Sequence, residues 1–581
     1  MSESSFFARN RHAILGTVVA VAGVAGAYYL FSQQAFQTSA SELDDDSSSA
    51  ESEKFKASET KPPYPVDAKG FPSYSDDVIE QLLAEEKEQW ALALKNAGNE
   101  KYKAQILEDA IVFYSAALKI KQDPVFYSNR SACYAALSEH KEVIADATAA
   151  INIKRDYTKC ILRRAISYEA LEMYPEAMFD LTALTIYGGF NTRSVELSLE
   201  KVLQKHSIKI VEENMKNRVP ELPSASTIGS FFGTYVPETS PEGISAESEV
   251  PDKYLFEALQ NINLNTAEAY ENSDSLLNQA LVAYNVDSLI PESPEAAKAS
   301  IVLEYVAAFQ FMKNLANEAS ELIEKAVSLR PRARTYITRA LINADRSSFT
   351  EALADFQRAL EINNKNPDVY YHMGQMFYLT SDLESAKLNF EKAKEFNPEN
   401  LYAYIQLACI IYKQGNFEEA ENAFTEARLK FPTSPEILNY YGEILADHNN
   451  IKGAIKQYEI AARLQSALPN YSVGAIPLIN KASLISREGP EQLPLAEELL
   501  TKACELDPKS EIARISLAQV KLQTDRPEEA VELFKIGSQL ARTFEEKVQA
   551  TSFAEATKMQ LKIKEDPVLS SKISEYLSAN A

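Results

Sequence analysis

The chain has 581 residues, more than a single hydrophobic core usually holds, so roughly two to four domains are expected. Its formal net charge of −24 excludes a general nucleic-acid binder, because an acidic surface repels the phosphate backbone. Glycine is scarce, with 17 residues in all, which argues against β-rich folds that need many tight turns.

The N-terminus carries an uncharged apolar run. Residues 13–31 contain no charged side chain and follow a short tail, residues 1–12, that includes Arg9 and Arg11. A helix of this length reaches roughly 28 Å, enough to cross the hydrocarbon core of a bilayer. We predict a single-span membrane anchor. A cleaved signal peptide is the alternative, since Ala25-Gly26-Ala27 has the small residues of a cleavage site, although the run is long for one.

The composition changes after the anchor. Residues 32–84 are rich in Ser, Glu, Asp and Pro. Because such a stretch buries too little apolar surface to fold, we predict a flexible linker that holds the folded part away from the membrane.

Regularly spaced small and aromatic residues organise the rest of the chain. From Ala352 onward, alanines recur every 34 residues, each followed by an aromatic residue at i+4 and another alanine at i+7. This pattern lies on one face of a helix. The period is typical of tetratricopeptide (TPR) repeats, in which helix–turn–helix units stack into a superhelix. We therefore predict an all-α fold. The marked positions are Ala352, Phe356, Ala359, Ala386, Phe390, Ala393, Ala420, Phe424, Ala427, Ala454, Tyr458 and Ala461.

The repeats form two predicted domains. Ala110, Val143 and Ala177 mark three repeats in an N-terminal domain, residues 85–219. A Pro-, Ser- and Glu-rich linker, residues 220–253, leads to a C-terminal domain, residues 254–581, with about seven to eight repeats. Within the linker, Phe231 and Phe232 favour a loop anchored by two buried rings. A plug docked onto a neighbouring domain is the alternative.

The first three repeats place five polar side chains on one face. Counted from the marker residues, these positions lie on the helices that line the concave side of a TPR array. Three cations and two amides form a receptacle for two carboxylates, which the C-terminal Asp of a peptide provides. The set resembles the dicarboxylate clamp of TPR co-chaperones, which implies binding of the EEVD tails of the seventy- and ninety-kilodalton heat-shock chaperones. The residues are Lys95, Asn99, Asn129, Lys159 and Arg163.

The same count in the C-terminal domain selects rings beside amides and carboxylates. Such a groove is wettable and adaptable, which suits many partly apolar polypeptide segments. Ordinary packing between repeats is the alternative for any single tyrosine. The predicted groove residues are Tyr371, Gln375, Tyr378, Tyr402, Gln406, Tyr412, Glu436, Tyr440 and Glu443.

No pattern in the sequence indicates an enzyme. The phosphate-binding loop, the nucleophile elbow and the zinc-protease motif are all absent, and five histidines are scattered. The four cysteines lack metal-ligand spacing, so neither a cofactor nor a metal is predicted.

Nearly the whole chain resembles the seventy-kilodalton class of TPR import receptors of the mitochondrial outer-membrane translocase (TOM complex), from a fungus. The clamp alone fits many co-chaperones, whereas the anchor and the C-terminal array together are specific. The stretches that carry the resemblance are residues 26–29, 123–129, 230–233, 404–409 and 541–547.

The resemblance implies a receptor that docks chaperones at the clamp and receives preproteins, especially carriers with internal targeting signals, for transfer to the translocase channel. It also implies contacts with other translocase subunits. The N-terminus would lie in the intermembrane space and the bulk in the cytosol, whereas the positive-inside rule alone gives the opposite orientation. The alternative is a membrane-anchored co-chaperone or scaffold elsewhere, such as on the endoplasmic reticulum.

Overall fold

A computed structural model describes residues 62–188, 193–216, 218–291, 293–470 and 472–580. All regular elements in these ranges are helices, apart from one isolated β-bridge between Val66 and Pro72. The described residues form two compact units. The first contains residues up to Glu213 and from Thr551 onward, and the second contains Asn214–Ala550.

The first unit begins with eight helices, which include three TPR pairs, α2/α3, α4/α5 and α6/α7. The bounds are α1 (Asp76–Gln81), α2 (Ala84–Lys103), α3 (Leu107–Ile120), α4 (Pro124–Ala136), α5 (His140–Ile153), α6 (Thr158–Ala170), α7 (Tyr174–Tyr187) and α8 (Arg193–Met215).

The second unit starts with a short helix, α9, and continues as paired helices from α10/α11 to α24/α25. Their bounds are α9 (Ala225–Gly233), α10 (Asp252–Leu264), α11 (Ala267–Ala283), α12 (Ala296–Met312), α13 (Ala316–Leu329), α14 (Ala333–Asp345), α15 (Phe349–Ile362), α16 (Pro367–Leu379), α17 (Leu383–Phe396), α18 (Leu401–Lys413), α19 (Phe417–Lys430), α20 (Pro435–Asp447), α21 (Ile451–Ala467), α22 (Ile476–Ile485), α23 (Leu493–Leu506), α24 (Glu511–Gln523) and α25 (Pro527–Leu540). Helices α26 (Phe544–Glu565) and α27 (Pro567–Asn580) end the chain.

The small–aromatic–small pattern forms the contact between paired helices. Ala352, Phe356 and Ala359 on α15 are fully buried, and their counterparts in the next three repeats are at most 3% exposed. The ring lies where the partner helix has no side chain: an added Cβ at Gly374 would meet the Phe390 ring at 3.0 Å. The predicted all-helical TPR fold is therefore confirmed.

In each unit, the first helix of a repeat (its A helix) contacts the A helix of a neighbouring repeat. Helix α4 contacts both α2 and α6 in the first unit, and α14 contacts both α12 and α16 in the second. Side chains on successive A helices consequently share one surface, which we call the A-helix face of that unit.

The turn inside each repeat requires a residue with positive φ. Ser347, Ser381 and Gly415 occupy equivalent turns, with φ of +62°, +66° and +89°. The Cβ of an L residue is strained by roughly 1 kcal/mol in this left-handed conformation, and Gly415 avoids that strain.

An arginine–aspartate pair fastens the two helices of several repeats. In the first unit, Arg130 donates to both oxygens of Asp146 at 2.8 and 2.7 Å. Arg339 makes the same two-bond contact with Asp355 in the second unit, at 3.0 and 2.6 Å. Because the partners are sixteen residues apart in both cases, the pair is a feature of the repeat rather than of one site.

The described part of the predicted linker, residues 62–84, is folded, which corrects the expectation of a flexible stretch there. Tyr64 is 6% exposed, and its ring lies 6.4 Å from that of Trp90. Phe71 packs 5.8 Å from Phe113. The rings bury enough apolar surface to hold this stretch against the first repeat. The polar residues around them dominate the composition, so the sequence did not indicate this packing.

The predicted anchor, residues 13–31, lies outside the described residues, as does the rest of 1–61. In the described part of the chain, no helix is both long enough and apolar enough to cross a membrane.

The C-terminal helices also differ from the predicted domain division. Residues from Thr551 belong to the first unit, where Ala556, Met559 and Ile563 of α26 join the core formed by α7 and α8. Glu555 contacts His206 there at 3.2 Å. The sequence predicts these helices, but an apolar helix face does not indicate which part of the molecule it packs against.

Candidate functional site

Asn99 on α2 is the centre of the predicted clamp. Its Oδ1 accepts hydrogen bonds from the Tyr114 hydroxyl at 2.7 Å and from Nδ2 of Asn129 at 3.1 Å. Two bonds fill the acceptor capacity of a carbonyl oxygen. The end of the Asn99 amide that remains for a ligand is therefore its NH₂ group, a donor suited to a carboxylate.

Arg163 links the third repeat to the second. Its Nη1 donates to the Ser128 carbonyl at 2.8 Å and to the hydroxyls of Ser128 and Ser131 at 3.0 and 3.4 Å. In the described part of the chain Arg163 forms no other hydrogen bond, so Nε and Nη2 remain as donors for a ligand. A guanidinium that is fixed at one nitrogen is pre-oriented for an anion.

The two predicted lysines complete the set. Lys95 is half-buried on α2, and Lys159 is exposed on α6. Neither forms an ion pair with a residue that the structure describes, whereas many other lysines of this acidic chain do. Their unneutralised ammonium groups give this face a positive charge that attracts carboxylates.

The structure distinguishes Arg163 from its neighbour Arg164. The Arg164 guanidinium donates to both oxygens of Asp180 at 2.8 and 2.7 Å, and Asp180 is 2% exposed. Arg164 therefore fastens α6 to α7, and only Arg163 belongs to the A-helix face.

The predicted groove residues of the second unit form a connected wall. The Gln375 amide donates to the Tyr371 hydroxyl at 3.1 Å, and Gln406 also hydrogen-bonds to Tyr371. Tyr371 is 1% exposed, and burial raises its pKa. Tyr371 is therefore covered by its neighbours and holds the two glutamines in place, whereas Gln375 and Gln406 are half-buried and reach the surface.

The other groove residues lie further along the same face. The Tyr378 ring lies 4.0 Å from the Lys413 ammonium, and Tyr412 donates to Asp447 at 2.8 Å. Glu443 accepts from Asn439 at 3.0 Å. The side chains of Tyr378, Tyr412, Tyr440 and Glu443 are all half-buried, and Tyr402 and Glu436 are buried.

A segment of the chain itself lies against this wall. Residues 224–238, which we call the inner segment, comprise α9 and the non-helical stretch after it. The predicted loop at Phe231 and Phe232 is thus corrected to a helix, because Ser224 caps its first turn and apolar residues on several helices cover it. The Phe232 ring packs 5.6 Å from Phe309 and 5.9 Å from Tyr305.

Two side chains that bond to the end of this segment, Arg334 and Asp368, were not predicted. Together with the predicted groove residue Tyr402, they occupy equivalent positions near the start of three successive A helices, 34 residues apart. The 34-residue spacing could have indicated that these positions share one face. Because the residue type differs in each repeat, the pattern is not visible in the sequence. Burial raises the Asp368 pKa to about 6 and lowers the His372 pKa to about 3.

Comparisons with known proteins agree with this architecture. A TPR repeat model matches residues 341–381, and tetratricopeptide repeat models match residues 367–400 and 405–469. The mitochondrial import receptor subunit TOM70 of Saccharomyces cerevisiae is 39% identical over 610 residues, covering 99% of this chain and 98% of the relative.

Two further comparisons point in the same direction. The human mitochondrial import receptor subunit TOM70 is 27% identical over 499 residues, which cover 81% of this chain and 80% of the human protein. The crystal structure of the yeast Tom70 matches with a TM-score of 0.58 and 42% identity, over 84% of this chain and 100% of that one. With such identity to the yeast receptor over nearly the full length of both chains, the protein belongs to the TOM70 family of mitochondrial import receptor subunits.

Proposed function

We propose that this receptor binds the acidic C-terminal tails of the seventy- and ninety-kilodalton heat-shock chaperones at Lys95, Asn99, Asn129, Lys159 and Arg163. The observation that supports the proposal is the hydrogen bond from Asn129 to the Asn99 side-chain oxygen. It leaves the Asn99 NH₂ group as the donor for a ligand, on the face shared with Arg163. The terminal Asp of an EEVD tail supplies two carboxylates for these donors and for the two lysines.

The A-helix face of the second unit receives the preprotein in this scheme. Rings, amides and carboxylates alternate there, so that different segments find hydrogen bonds and apolar contacts. Carriers with internal targeting signals are the proposed cargo, handed on to other translocase subunits and the channel. Two sites in one chain raise the effective concentration of cargo at the second site while its chaperone is held at the first.

We also propose that residues 13–31 anchor the receptor in the outer membrane, with the N-terminus in the intermembrane space and the bulk in the cytosol. The length of the apolar run supports a single span, and a clamp for cytosolic chaperones requires that the bulk face the cytosol. Family membership favours the import receptor over a scaffold on the endoplasmic reticulum. A fusion of residues 1–40 to a fluorescent protein tests the choice of membrane, and reticular labelling would contradict the outer membrane.

Calorimetric titration of the receptor with an EEVD peptide tests the clamp. Removing a partner from a desolvated carboxylate costs on the order of 2 kcal/mol, so Arg163→Ala should weaken binding roughly thirtyfold. Lys95→Ala should also weaken binding, whereas Lys119→Ala should not. Lys119 is exposed on α3, outside the A-helix face, and its removal changes the net charge equally. Unchanged affinity for Arg163→Ala would reject the assignment.

Site-specific photocrosslinking tests the cargo surface. A probe at Tyr378 or Gln406 should label a carrier preprotein, more strongly with chaperone present. A probe at Leu388, which is 54% exposed on the second helix of its repeat, should not. Equal labelling from all three positions would contradict cargo binding at this face.

A further inference from the structure

The non-helical end of the inner segment, residues 234–238, is held through its main chain. Nδ2 of Asn400 donates to the Thr234 carbonyl at 3.1 Å, and Asp368 accepts from the Val236 N–H at 2.9 Å. Nη2 of Arg334 donates to the Val236 carbonyl at 3.0 Å. Since nearly every residue carries these main-chain groups, the same three side chains can hold a different sequence.

The contacts follow the repeats in reverse order. Asn400 lies at the start of α18, Asp368 on α16 and Arg334 on α14, while the segment runs from Thr234 toward Glu238. The Glu238 carboxylate ends the series with two hydrogen bonds from Arg332, both 2.8 Å long, and one from Arg334 at 3.1 Å. The A helices thus form a track along which a polypeptide lies antiparallel to the repeats.

The segment is an imperfect occupant of this track. The Tyr235 ring lies 4.3 Å from the Arg334 guanidinium carbon and 4.5 Å from His372, and Tyr235 is only 6% exposed. Its hydroxyl is buried without a hydrogen-bond partner in the described part of the chain. An unpaired buried hydroxyl weakens the hold on the segment, because that group has lost its water.

The two halves of the inner segment differ in how they are fixed. Helix α9 is held by apolar packing, with Ile228 1% exposed and both phenylalanine rings packed against the core. Residues 234–238 are held by polar main-chain contacts and by the buried ring of Tyr235, both of which an incoming chain with an aromatic residue reproduces. Opening that end exposes the site of the Tyr235 ring but leaves α9 packed in its own cluster.

Resting on the proposed role of this face in cargo binding, we propose that preprotein segments displace residues 234–238 and take over their contacts with Arg334, Asp368 and Asn400. The cargo segment should resemble the residues that it replaces. It would be extended, with an aromatic residue three positions before an acidic one, as Tyr235 precedes Glu238. The ring enters the slot between Arg334 and His372, and the carboxylate binds Arg332. The apparent affinity for cargo is then the intrinsic affinity multiplied by the fraction of time that residues 234–238 are released from the A helices.

Two conservative substitutions should move cargo affinity in opposite directions. Glu238→Gln removes the charge that holds the segment to Arg332 and Arg334, so cargo should bind about threefold to tenfold tighter. Tyr235→Phe removes the unpaired hydroxyl, which tightens the segment and should weaken cargo binding about threefold or more. Glu242→Gln is the matched control, because Glu242 is exposed and forms no ion pair with a described residue.

The measurement uses the full-length chain in detergent micelles and two probes. One is a fluorescein-labelled peptide with the sequence of residues 229–240, and the other is a radiolabelled carrier preprotein. Both should rank the proteins as Glu238→Gln above wild type above Tyr235→Phe, and the carrier should compete with the peptide. Hydrogen exchange at the Val236 amide should accelerate when the carrier binds.

The outcomes separate this inference from the proposed function. Carrier binding with no competition, no change in the exchange of Val236 and no difference among the variants would overturn the displacement while leaving the cargo role intact. Failure of the carrier to bind any of the proteins would overturn the cargo role itself, and the displacement with it.

Discussion

Nδ2 of Asn129 on α4 donates to Oδ1 of Asn99 on α2 across 3.1 Å, and this bond fixes which end of the Asn99 amide serves a ligand. Because the Tyr114 hydroxyl binds the same oxygen at 2.7 Å, Asn99 presents a donor at a surface flanked by unneutralised cations. The predicted clamp therefore depends on contacts between repeats as well as on the side chains that we propose bind the tail.

Replacing the Asn99 amide by a carboxylate should weaken tail binding without unfolding the repeat. In Asn99→Asp, one oxygen still accepts from Tyr114 and Asn129, but the other repels the ligand. We expect EEVD affinity to fall by at least about tenfold, since a donor becomes a like charge. Asn96→Asp places the same charge at an exposed position of α2 and should change affinity less than about twofold. Fluorescence anisotropy of a labelled peptide measures both, and equal losses would argue for long-range charge alone.

Gly98 should not tolerate even alanine. A Cβ there would lie 2.7 Å from the Tyr114 ring, which fills the space between α2 and α3. Overpacking of this kind costs about 1–3 kcal/mol, so Gly98→Ala should lower the free energy of unfolding by that amount. Tyr114→Leu in the same chain should recover part of the loss, because the clash disappears. Additive effects of the two substitutions in urea unfolding would contradict direct contact.

The turn residues should respond to backbone strain rather than to crowding. Gly415 has open space around an added Cβ but a φ of +89°. Gly415→Ala should therefore destabilise the second unit by about 1 kcal/mol. At the equivalent exposed position, Ser381→Gly relieves the strain and should be stabilising by a few tenths to about 1 kcal/mol. A stabilising Gly415→Ala, read from the urea midpoint, would show that the positive φ is not maintained.

His372 should make the second unit less stable in acid. Burial lowers its folded-state pKa to about 3, below the ordinary 6.5, so the unfolded chain binds a proton first as the pH falls. The free energy of unfolding should then decrease by about 1 kcal/mol per pH unit between pH 6 and pH 4 from this group.

Comparison with His372→Phe isolates that contribution. Asp368, whose pKa is raised to about 6, acts in the opposite direction and is present in both proteins. The variant should therefore gain stability relative to wild type as the pH falls. A stability difference that does not vary with pH would show that His372 is accessible to protons in the folded state.

Tyr64 should stabilise the first repeat although it precedes the first helix. Its ring is buried beside Trp90, the one tryptophan of the chain, so fluorescence reports this contact directly. Tyr64→Ala should cost about 2–4 kcal/mol and red-shift the emission of Trp90. Val66→Ala, at a position 42% exposed, should leave both unchanged. An unshifted spectrum in Tyr64→Ala would place the ring in solvent.

The sequence alone determined the repeat architecture. Helix packing recurs every 34 residues, so the physical demand for a small residue, a ring and another small residue repeats visibly from Ala352 to Ala461. The clamp positions followed from the same arithmetic, because Lys95, Asn99, Asn129, Lys159 and Arg163 lie on A helices whose phase was already fixed. The binding of a chaperone tail by these residues stays a prediction.

Tertiary structure alone decided where the irregular parts of the chain pack. Residues 62–74, the inner segment and the helices after Thr551 carry apolar side chains in no repeating pattern, so their sequence shows that they bury surface but not against which partner. The same holds for the track of Arg334, Asp368 and Asn400, whose shared role appears only when the main chain of Thr234 and Val236 lies beside them. Local periodicity encodes helices and their phase, whereas contacts between residues far apart in sequence depend on the folded surface that receives them.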